Sequence, residues 1–159
     1  MSADIFIPAR TSGHGQFTVD IDHEKAGWGY SGLRVVELEA GASQALETGD
    51  SELLVLPLAG SATVSVDGRD YELAGRPGVF QAVTDYLYVG RGKELTITSA
   101  AGGRFAFPSA VATKDLPTAY YPKETVRIDL RGAGDCSRQV NNYCLAVEGV
   151  TTSHLLACE

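Results

Sequence analysis

Residues 52–75 constrain the fold of this chain more than any other stretch. Four apolar residues stand together at positions 53–56, and so short a continuous run predicts a strand covered on both faces. Residues 62–66 then alternate between apolar and polar side chains, which is the pattern of a strand with one buried face. Pro57 and Gly60 separate the two segments. The stretch therefore predicts two strand segments in succession.

A hairpin is predicted directly after them, at Asp67-Gly68. This dipeptide favours a two-residue type I′ turn, in which both residues take a positive φ. Both strands then place their apolar residues on one face, so the pattern and the turn agree. The cross-strand pairs expected from this turn are Ala62 with Leu73, Thr63 with Glu72, Val64 with Tyr71 and Ser65 with Asp70.

Short apolar or alternating segments recur along the chain, separated by glycine and proline turns. Besides the hairpin, they are residues 17–21, 33–38, 79–83, 86–89, 95–98, 105–107, 126–130 and 153–158. No window carries the i, i+3, i+4, i+7 apolar spacing of a substantial helix. This pattern predicts an all-β fold, and a closed or double-sheet jelly-roll barrel protects the strand edges.

The loop at residues 27–32 places Trp28 and Tyr30 among three glycines. Such a loop could be a lid over a ligand. A turn whose aromatic side chains cover the core is the favoured interpretation.

Composition excludes several classes of partner. The formal net charge of −7 argues against binding to a nucleic-acid backbone. No apolar stretch approaches the roughly 20 residues that span a bilayer, and no secretory signal precedes the first strand. The three cysteines, at 136, 144 and 158, lack a CxxC spacing. We therefore expect reduced thiols in a cytoplasmic protein.

Residues 41–98 resemble the cupin superfamily, whose double-stranded β-helix usually holds a metal. The first cupin motif has a glycine, a His-x-His pair, a glutamate and a later glycine. Gly41, Glu52 and Gly60 match it, but Glu47 and Gly49 stand where the histidines are expected. The resemblance thus implies a cupin-like barrel whose metal site is degenerate.

The remaining ligands do not restore that site. The turn at residues 89–92, which corresponds to the second cupin motif, is followed by no histidine. A catalytic transition-metal site needs about three or four converging ligands. The chain has only His14, His23 and His154, and a three-dimensional cluster of all three is the less favoured reading. Glu47 and Glu52 could form an acid–base pair, although solvated glutamates are favoured on so acidic a chain.

A second resemblance is more specific. Residues 131–143, RGAGDCSRQVNNY, together with residues 51–64 and 98–108, look like the 5-deoxy-glucuronate isomerase family of bacterial myo-inositol catabolism. Members of that family are double cupins, and this chain resembles the first half. The resemblance divides it into a barrel at 1–130 and, at 131–159, a segment leading toward a second cupin absent here. It also places the His-x-His motif and a divalent metal in that second cupin, so we expect no cofactor in this chain.

The resemblance implies an aldose–ketose isomerase that interconverts 5-deoxy-glucuronate and 5-dehydro-2-deoxy-gluconate. Because the metal-binding positions have no counterpart here, we expect the 159-residue chain to be inactive alone. The alternative is a free-standing, metal-free cupin that binds a small acidic or sugar ligand, or that scaffolds an oligomer. Fold alone does not choose between them.

Residues 131–143, which we call the signature run, supply the candidate site residues. They are Asp135, Arg138, Gln139, Asn141 and Asn142. Arg138 could grip the carboxylate of a sugar-acid substrate in a bidentate fashion. The favoured alternative is that the run braces the junction between two barrels by satisfying backbone groups.

Self-association is the last expectation. A barrel that lacks its partner should expose an apolar surface, here predicted around Val140, Tyr143 and the last strand. We therefore expect a homo-oligomer, with neither nucleic acid nor membrane as a partner.

Overall fold

The computed structural model describes residues 6–8, 10–145 and 151–159. These residues form a β-rich fold with one four-residue helix, α1 (His23–Ala26), and two short 3-10 turns, Lys123–Thr125 and Gly134–Cys136. The strands are β1 (Phe17–Ile21), β2 (Ser31–Leu38), β3 (Ser43–Glu47), β4 (Ser51–Val66), β5 (Arg69–Arg76), β6 (Tyr86–Val89), β7 (Glu94–Thr98), β8 (Gly103–Val111), β9 (Ala119–Tyr121), β10 (Arg127–Arg131), β11 (Arg138–Cys144) and β12 (Ala157–Cys158). Within the described ranges, no helix is long and apolar enough to cross a membrane.

Strand β4 links the two layers of the barrel. Its first half pairs with β6 and β8 in a layer ordered β1-β2-β8-β4-β6-β9. Its second half pairs with β5 and β7, and β7 also pairs with β3. Register shifts lie between Pro57 and Ala59 and between Gly60 and Ala62, where the strand changes partners. The two segments predicted from the sequence are therefore one strand with irregularities at Pro57 and Gly60.

The hairpin prediction is confirmed residue by residue. All four expected pairs occur in the β4–β5 register, and Asp67 and Gly68 have φ values of 51° and 76°. On the outer face, the Thr63 hydroxyl donates to the Glu72 carboxylate at 3.0 Å.

Two apolar clusters lie on opposite faces of the first layer. The inner cluster fills the barrel and includes Val36, Val55, Val64, Ile97 and Phe105, all fully buried. The outer cluster includes Leu54, Tyr86 and Tyr88 and is covered by residues of the C-terminal part of the chain, among them Tyr143 and Leu155. Residues 53–56 are buried on both faces for this reason, as their continuous apolar run predicts.

The structure corrects two strand predictions. Residues 79–83 form a turn and coil, because the carbonyl of Ala82 accepts from the Arg76 guanidinium and Phe80 is fully exposed. Residues 153–158 form a strand only at Ala157–Cys158, because the N–H groups of residues 153–155 donate to Glu52.

The prediction that the aromatic side chains of the loop at residues 27–32 cover the core is wrong. Trp28 and Tyr30 are 59% and 55% exposed, so neither covers the core. The Tyr30 ring lies instead beside His154, with 5.3 Å between the ring centroids.

Beyond the barrel, β10, β11 and β12 form a separate three-stranded sheet. The β10–β11 hairpin spans residues 127–144 and contains the whole signature run. It therefore crosses residue 130, the boundary that the resemblance places between the two parts of the chain. Of the apolar surface expected around Val140, Tyr143 and the last strand, Tyr143 is buried against Tyr86 in the outer cluster, whereas Leu156 is 68% exposed. The exposed apolar side chains of this sheet are Ile128 and Leu130 on β10.

Candidate functional site

The positions that correspond to the cupin histidines do not face the barrel interior. Leu46 packs in the inner cluster and Thr48 is buried, whereas Glu47 and Gly49 beside them are exposed. The Thr48 hydroxyl donates to the carbonyl of Gly90 at 3.0 Å and accepts from the N–H of Lys93 at 2.9 Å. These inward positions therefore carry an apolar residue and a hydroxyl that is already hydrogen-bonded.

Glu52, the glutamate that matches the cupin motif, faces away from the interior. Its neighbour Leu53 points into the barrel, and successive residues of a strand point to opposite faces. The Glu52 side chain lies beneath the C-terminal segment with none of its surface exposed. The preference for solvated glutamates is therefore wrong for Glu52, and it cannot pair with the exposed Glu47.

The Glu52 carboxylate accepts four hydrogen bonds. The Tyr88 hydroxyl donates at 2.5 Å and the Ser153 N–H at 2.7 Å to one oxygen. The N–H groups of His154 and Leu155 donate to the other, each at 2.6 Å. Burial alone would raise the pKa of Glu52, but these donors outweigh it and the pKa is lowered. Glu52 thus anchors residues 153–155 as a carboxylate.

An ion pair between the buried Arg76 and the partly exposed Glu159 holds the end of the described chain. The Arg76 side chain is fully buried and donates to both carboxylate oxygens of Glu159, at 2.5 and 2.7 Å. Burial opposes the charge of both groups, yet their pairing lowers the pKa of Glu159 and raises that of Arg76. The Tyr143 hydroxyl also donates to Glu159, at 3.1 Å. Sequence reasoning missed this pair because no motif links two residues so far apart in the chain.

Two of the five candidate residues are buried within the signature run. Asn141 donates to the Glu159 carboxylate at 3.1 Å and exchanges two backbone hydrogen bonds with Glu159. Asn142 donates from its amide to the carbonyl of Arg127 at 3.1 Å and to Asp129 at 3.2 Å. Both asparagines join β11 to its neighbouring segments.

The other three candidates are exposed. Gln139 donates to the Asn141 side chain at 2.8 Å. The hydrogen bond that the Arg138 side chain makes within the described ranges is to the carbonyl of Cys136, at 3.3 Å. Asp135 lies in the 3-10 turn that joins β10 and β11. Of the five candidates, the structure brings Gln139 and Asn141 into direct contact.

The three histidines lie in different surroundings. His14 lies 3.8 Å from Asp20, His23 begins α1, and Nδ1 of His154 is 2.8 Å from the carbonyl oxygen of Val111. In residues 6–8, 10–145 and 151–159, no three His, Cys, Asp or Glu side chains form a group that could hold a metal. The three cysteines all lie in these ranges and are free thiols.

A pocket of about 300 Å³ opens at one end of the barrel. We call it the mouth pocket. Leu53 and Phe107 of the inner cluster contribute its apolar surface, and Arg34, Ser51, Ser109 and His23 contribute polar groups. A wider depression of about 900 Å³ lies beside it, and Arg34 and Glu47 line both.

Two layers of strands that share one long strand and enclose an apolar interior define a cupin-like jelly-roll barrel. The sequence matches the model of the KduI/IolB family over residues 5–159, so the chain belongs to the KduI/IolB family.

Relatives and a solved structure agree with this membership. The 5-deoxy-glucuronate isomerase of Listeria innocua is 31% identical over 141 residues, covering 86% of this chain and 51% of that protein. The isomerase of Geobacillus kaustophilus is 29% identical, covering 87% of this chain and 51% of that protein. The crystal structure of an IolB-like protein from Salmonella typhimurium superposes with a TM-score of 0.76 at 26% identity, over 83% of this chain and 51% of that one. The chain thus spans about half the length of these relatives.

Proposed function

We propose that this chain provides the first, non-catalytic barrel of an aldose–ketose isomerase acting on 5-deoxy-glucuronate. Two observations support the proposal. The chain matches isomerases of which it covers only 51%, and the inward positions of its barrel carry Leu46 and Thr48 in place of metal ligands. The divalent metal that polarises the substrate carbonyl would then lie in the second barrel. Alone, the chain has no turnover.

The acid–base chemistry of the reaction supports this assignment. Moving a proton between C1 and C2 needs a group that can both accept and release it. Glu52 is held as a carboxylate by four donors, and Glu159 is held by Arg76. The donors that stabilise the charged forms also make both carboxylates poor proton shuttles.

The signature run braces the junction in this proposal. Asn141 and Asn142 fix β11 to the last segment and to β10, and a second barrel would follow that segment. The exposed Arg138 remains a candidate for contact with a sugar-acid substrate, because its guanidinium meets no carboxylate in the described part of the chain.

We also propose that the protein is cytoplasmic and forms a homo-oligomer through the exposed Ile128 and Leu130. Sedimentation of Leu130→Ser beside the unmodified chain tests the second point. A lower average mass is expected for the variant. An unmodified chain that sediments as a monomer at high concentration would refute it.

A chimera tests the proposed function. This chain replaces the corresponding first half of the Listeria innocua isomerase, and the product is assayed on 5-deoxy-glucuronate. We expect turnover well above that of this chain alone, with the intact relative as the positive control. A folded chimera without activity would contradict the proposal.

The same chimera separates the two roles of the signature run. If the run is a brace, Arg138→Met leaves KM close to its original value, as does the matched control Arg131→Met. Arg131 is a fellow exposed arginine of the hairpin, paired with Asp129. A KM raised about tenfold by Arg138→Met alone would assign Arg138 to the substrate carboxylate instead.

A further inference from the structure

The mouth pocket has the composition of a binding site that is independent of metal chemistry. An apolar base with a few convergent polar groups is typical of small-molecule sites, which span about 300–1,000 Å³. At about 300 Å³, the mouth pocket can admit one molecule of monosaccharide size. Its apolar base comes from Leu53 and Phe107, which β4 and β8 hold in the barrel core.

Several polar groups at the mouth are incompletely satisfied. Arg34 lies over the Phe17 ring, 5.8 Å from its centroid, and its polar contacts within the described residues are long: 3.4 Å from Nε to Asp20 and 3.5 Å from Nη1 to the carbonyl of Glu47. A guanidinium has five N–H donors, so most of its capacity remains for a ligand. The Ser109 hydroxyl makes no side-chain hydrogen bond to any described residue, while the Ser51 hydroxyl donates to Asp50 at 3.1 Å.

The charges around the pocket favour a neutral ligand. Among the described residues that line it, Asp22, Glu47 and Asp50 are acidic and Arg34 is the one permanent cation. Arg34 already faces Asp20, and Asp22 lies 3.6 Å from Lys25. An anionic ligand would meet this excess of carboxylates in a partly enclosed space, where like charges repel. Vicinal hydroxyl groups suit the same lining, because each can donate to a carboxylate and accept from Arg34.

We propose that the mouth pocket binds a neutral polyol of monosaccharide size, with Arg34 and Ser109 as the principal contacts. The ring or carbon chain lies on Leu53 and Phe107, and its hydroxyl groups bond to the polar rim. This site differs from the isomerase function, which the proposal above assigns to a second barrel, so either can fail without the other.

Titrations followed by amide NMR spectra of the ¹⁵N-labelled chain test the proposal. The probes are glucose, galactose and mannitol as neutral polyols, with glucuronate as the matched acid. We expect at least one neutral probe to shift the amides of Arg34, Ser51 and Ser109 with a Kd near about 1 mM, and glucuronate to bind more weakly. No shift with any neutral probe at about 50 mM, or tighter binding of glucuronate, would overturn it.

Variants show whether the shifts come from this pocket. Arg34→Met should weaken binding about tenfold, as expected for loss of a hydrogen bond to a charged group. Arg104→Met is the matched control, because Arg104 is also partly exposed and paired with a carboxylate but lies outside the pocket. Ser109→Ala, which removes only the hydroxyl group, should weaken binding about fivefold. Unchanged affinity in both Arg34→Met and Ser109→Ala would refute the assignment.

Discussion

Replacing Glu52 with glutamine keeps the size of the side chain and removes its charge. The carboxylate accepts from the Tyr88 hydroxyl and from three backbone N–H groups. An amide offers one oxygen and one NH₂ group. The best orientation turns the NH₂ toward Tyr88, whose hydroxyl can rotate and accept. That orientation still leaves the N–H of Ser153 facing another N–H.

The expected cost follows from these contacts. A hydrogen bond to a charged group contributes about 1.5–3 kcal/mol, and a buried N–H without a partner costs about 1–3 kcal/mol more. We therefore expect Glu52→Gln to lower the free energy of unfolding by about 3–5 kcal/mol. Tyr88→Phe removes one donor and leaves the three backbone N–H groups in place, so its expected cost is about 1–2 kcal/mol.

Two measurements check this prediction at pH 7. Denaturant unfolding gives the global loss, and hydrogen exchange at the amides of residues 153–155 reports local release of the segment. We expect faster exchange at these amides in Glu52→Gln and a smaller effect in Tyr88→Phe. A loss below about 1 kcal/mol, with protection at residues 153–155 unchanged, would refute the anchoring role of Glu52.

Three further predictions concern Arg76, Gly68 and the titration of Glu52. Arg76→Met should cost about 1.5–3 kcal/mol in denaturant unfolding, because the fully buried Arg76 side chain bonds the Glu159 carboxylate, which is itself 26% exposed. Arg91→Met at a surface pair should cost less than about 1 kcal/mol. Equal losses would contradict this distinction. Gly68→Ala should cost about 1 kcal/mol, because φ is 76°, and a loss no larger than that of a Gly29→Ala control would contradict it. The folded-state pKa of Glu52 lies below its ordinary 4.5, so its contribution is present above pH 4.5 and is lost as pH falls through the folded value. Unfolding curves of the unmodified chain and Glu52→Gln should therefore converge in acid, and a constant difference down to pH 3 would count against the linkage.

Local patterns were enough to predict the central hairpin. At residues 62–73, the alternation and the positive-φ turn determine the same register, so a one-residue slip would move the apolar side chains to solvent. The all-β class followed from the same kind of signal. The family resemblance rested on the signature run and is confirmed by the match over residues 5–159.

Strands β3, β9 and β11 were missed because their patterns are weak. β11 reads RQVNNYC, and its asparagines are buried through hydrogen bonds that depend on Glu159 and Arg127. No local rule predicts that a polar strand will find those partners. The strand prediction for residues 153–158 was wrong for the converse reason. Their apolar pattern indicates a strand, but the N–H groups of residues 153–155 donate to the Glu52 carboxylate instead of to a neighbouring strand.

The role of Glu52 shows the limit of motif matching. Its position agrees with the cupin pattern, but Leu53 beside it occupies the barrel interior, so the carboxylate points to the outer face. A spacing that differs by one residue places a side chain on the other side of a sheet. For the same reason Glu47 and Gly49 are exposed, whereas Leu46 and Thr48, one position earlier in the chain, point inward.

Turnover by the isolated chain tests the central proposal most directly. The purified polypeptide is incubated with 5-deoxy-glucuronate and, in separate samples, with manganese, iron or zinc ions, beside the Listeria innocua isomerase as a positive control. We predict formation of 5-dehydro-2-deoxy-gluconate at the rate of the protein-free blank in every sample. Metal-dependent turnover by this chain alone would show that the first barrel carries the chemistry and would contradict the proposal.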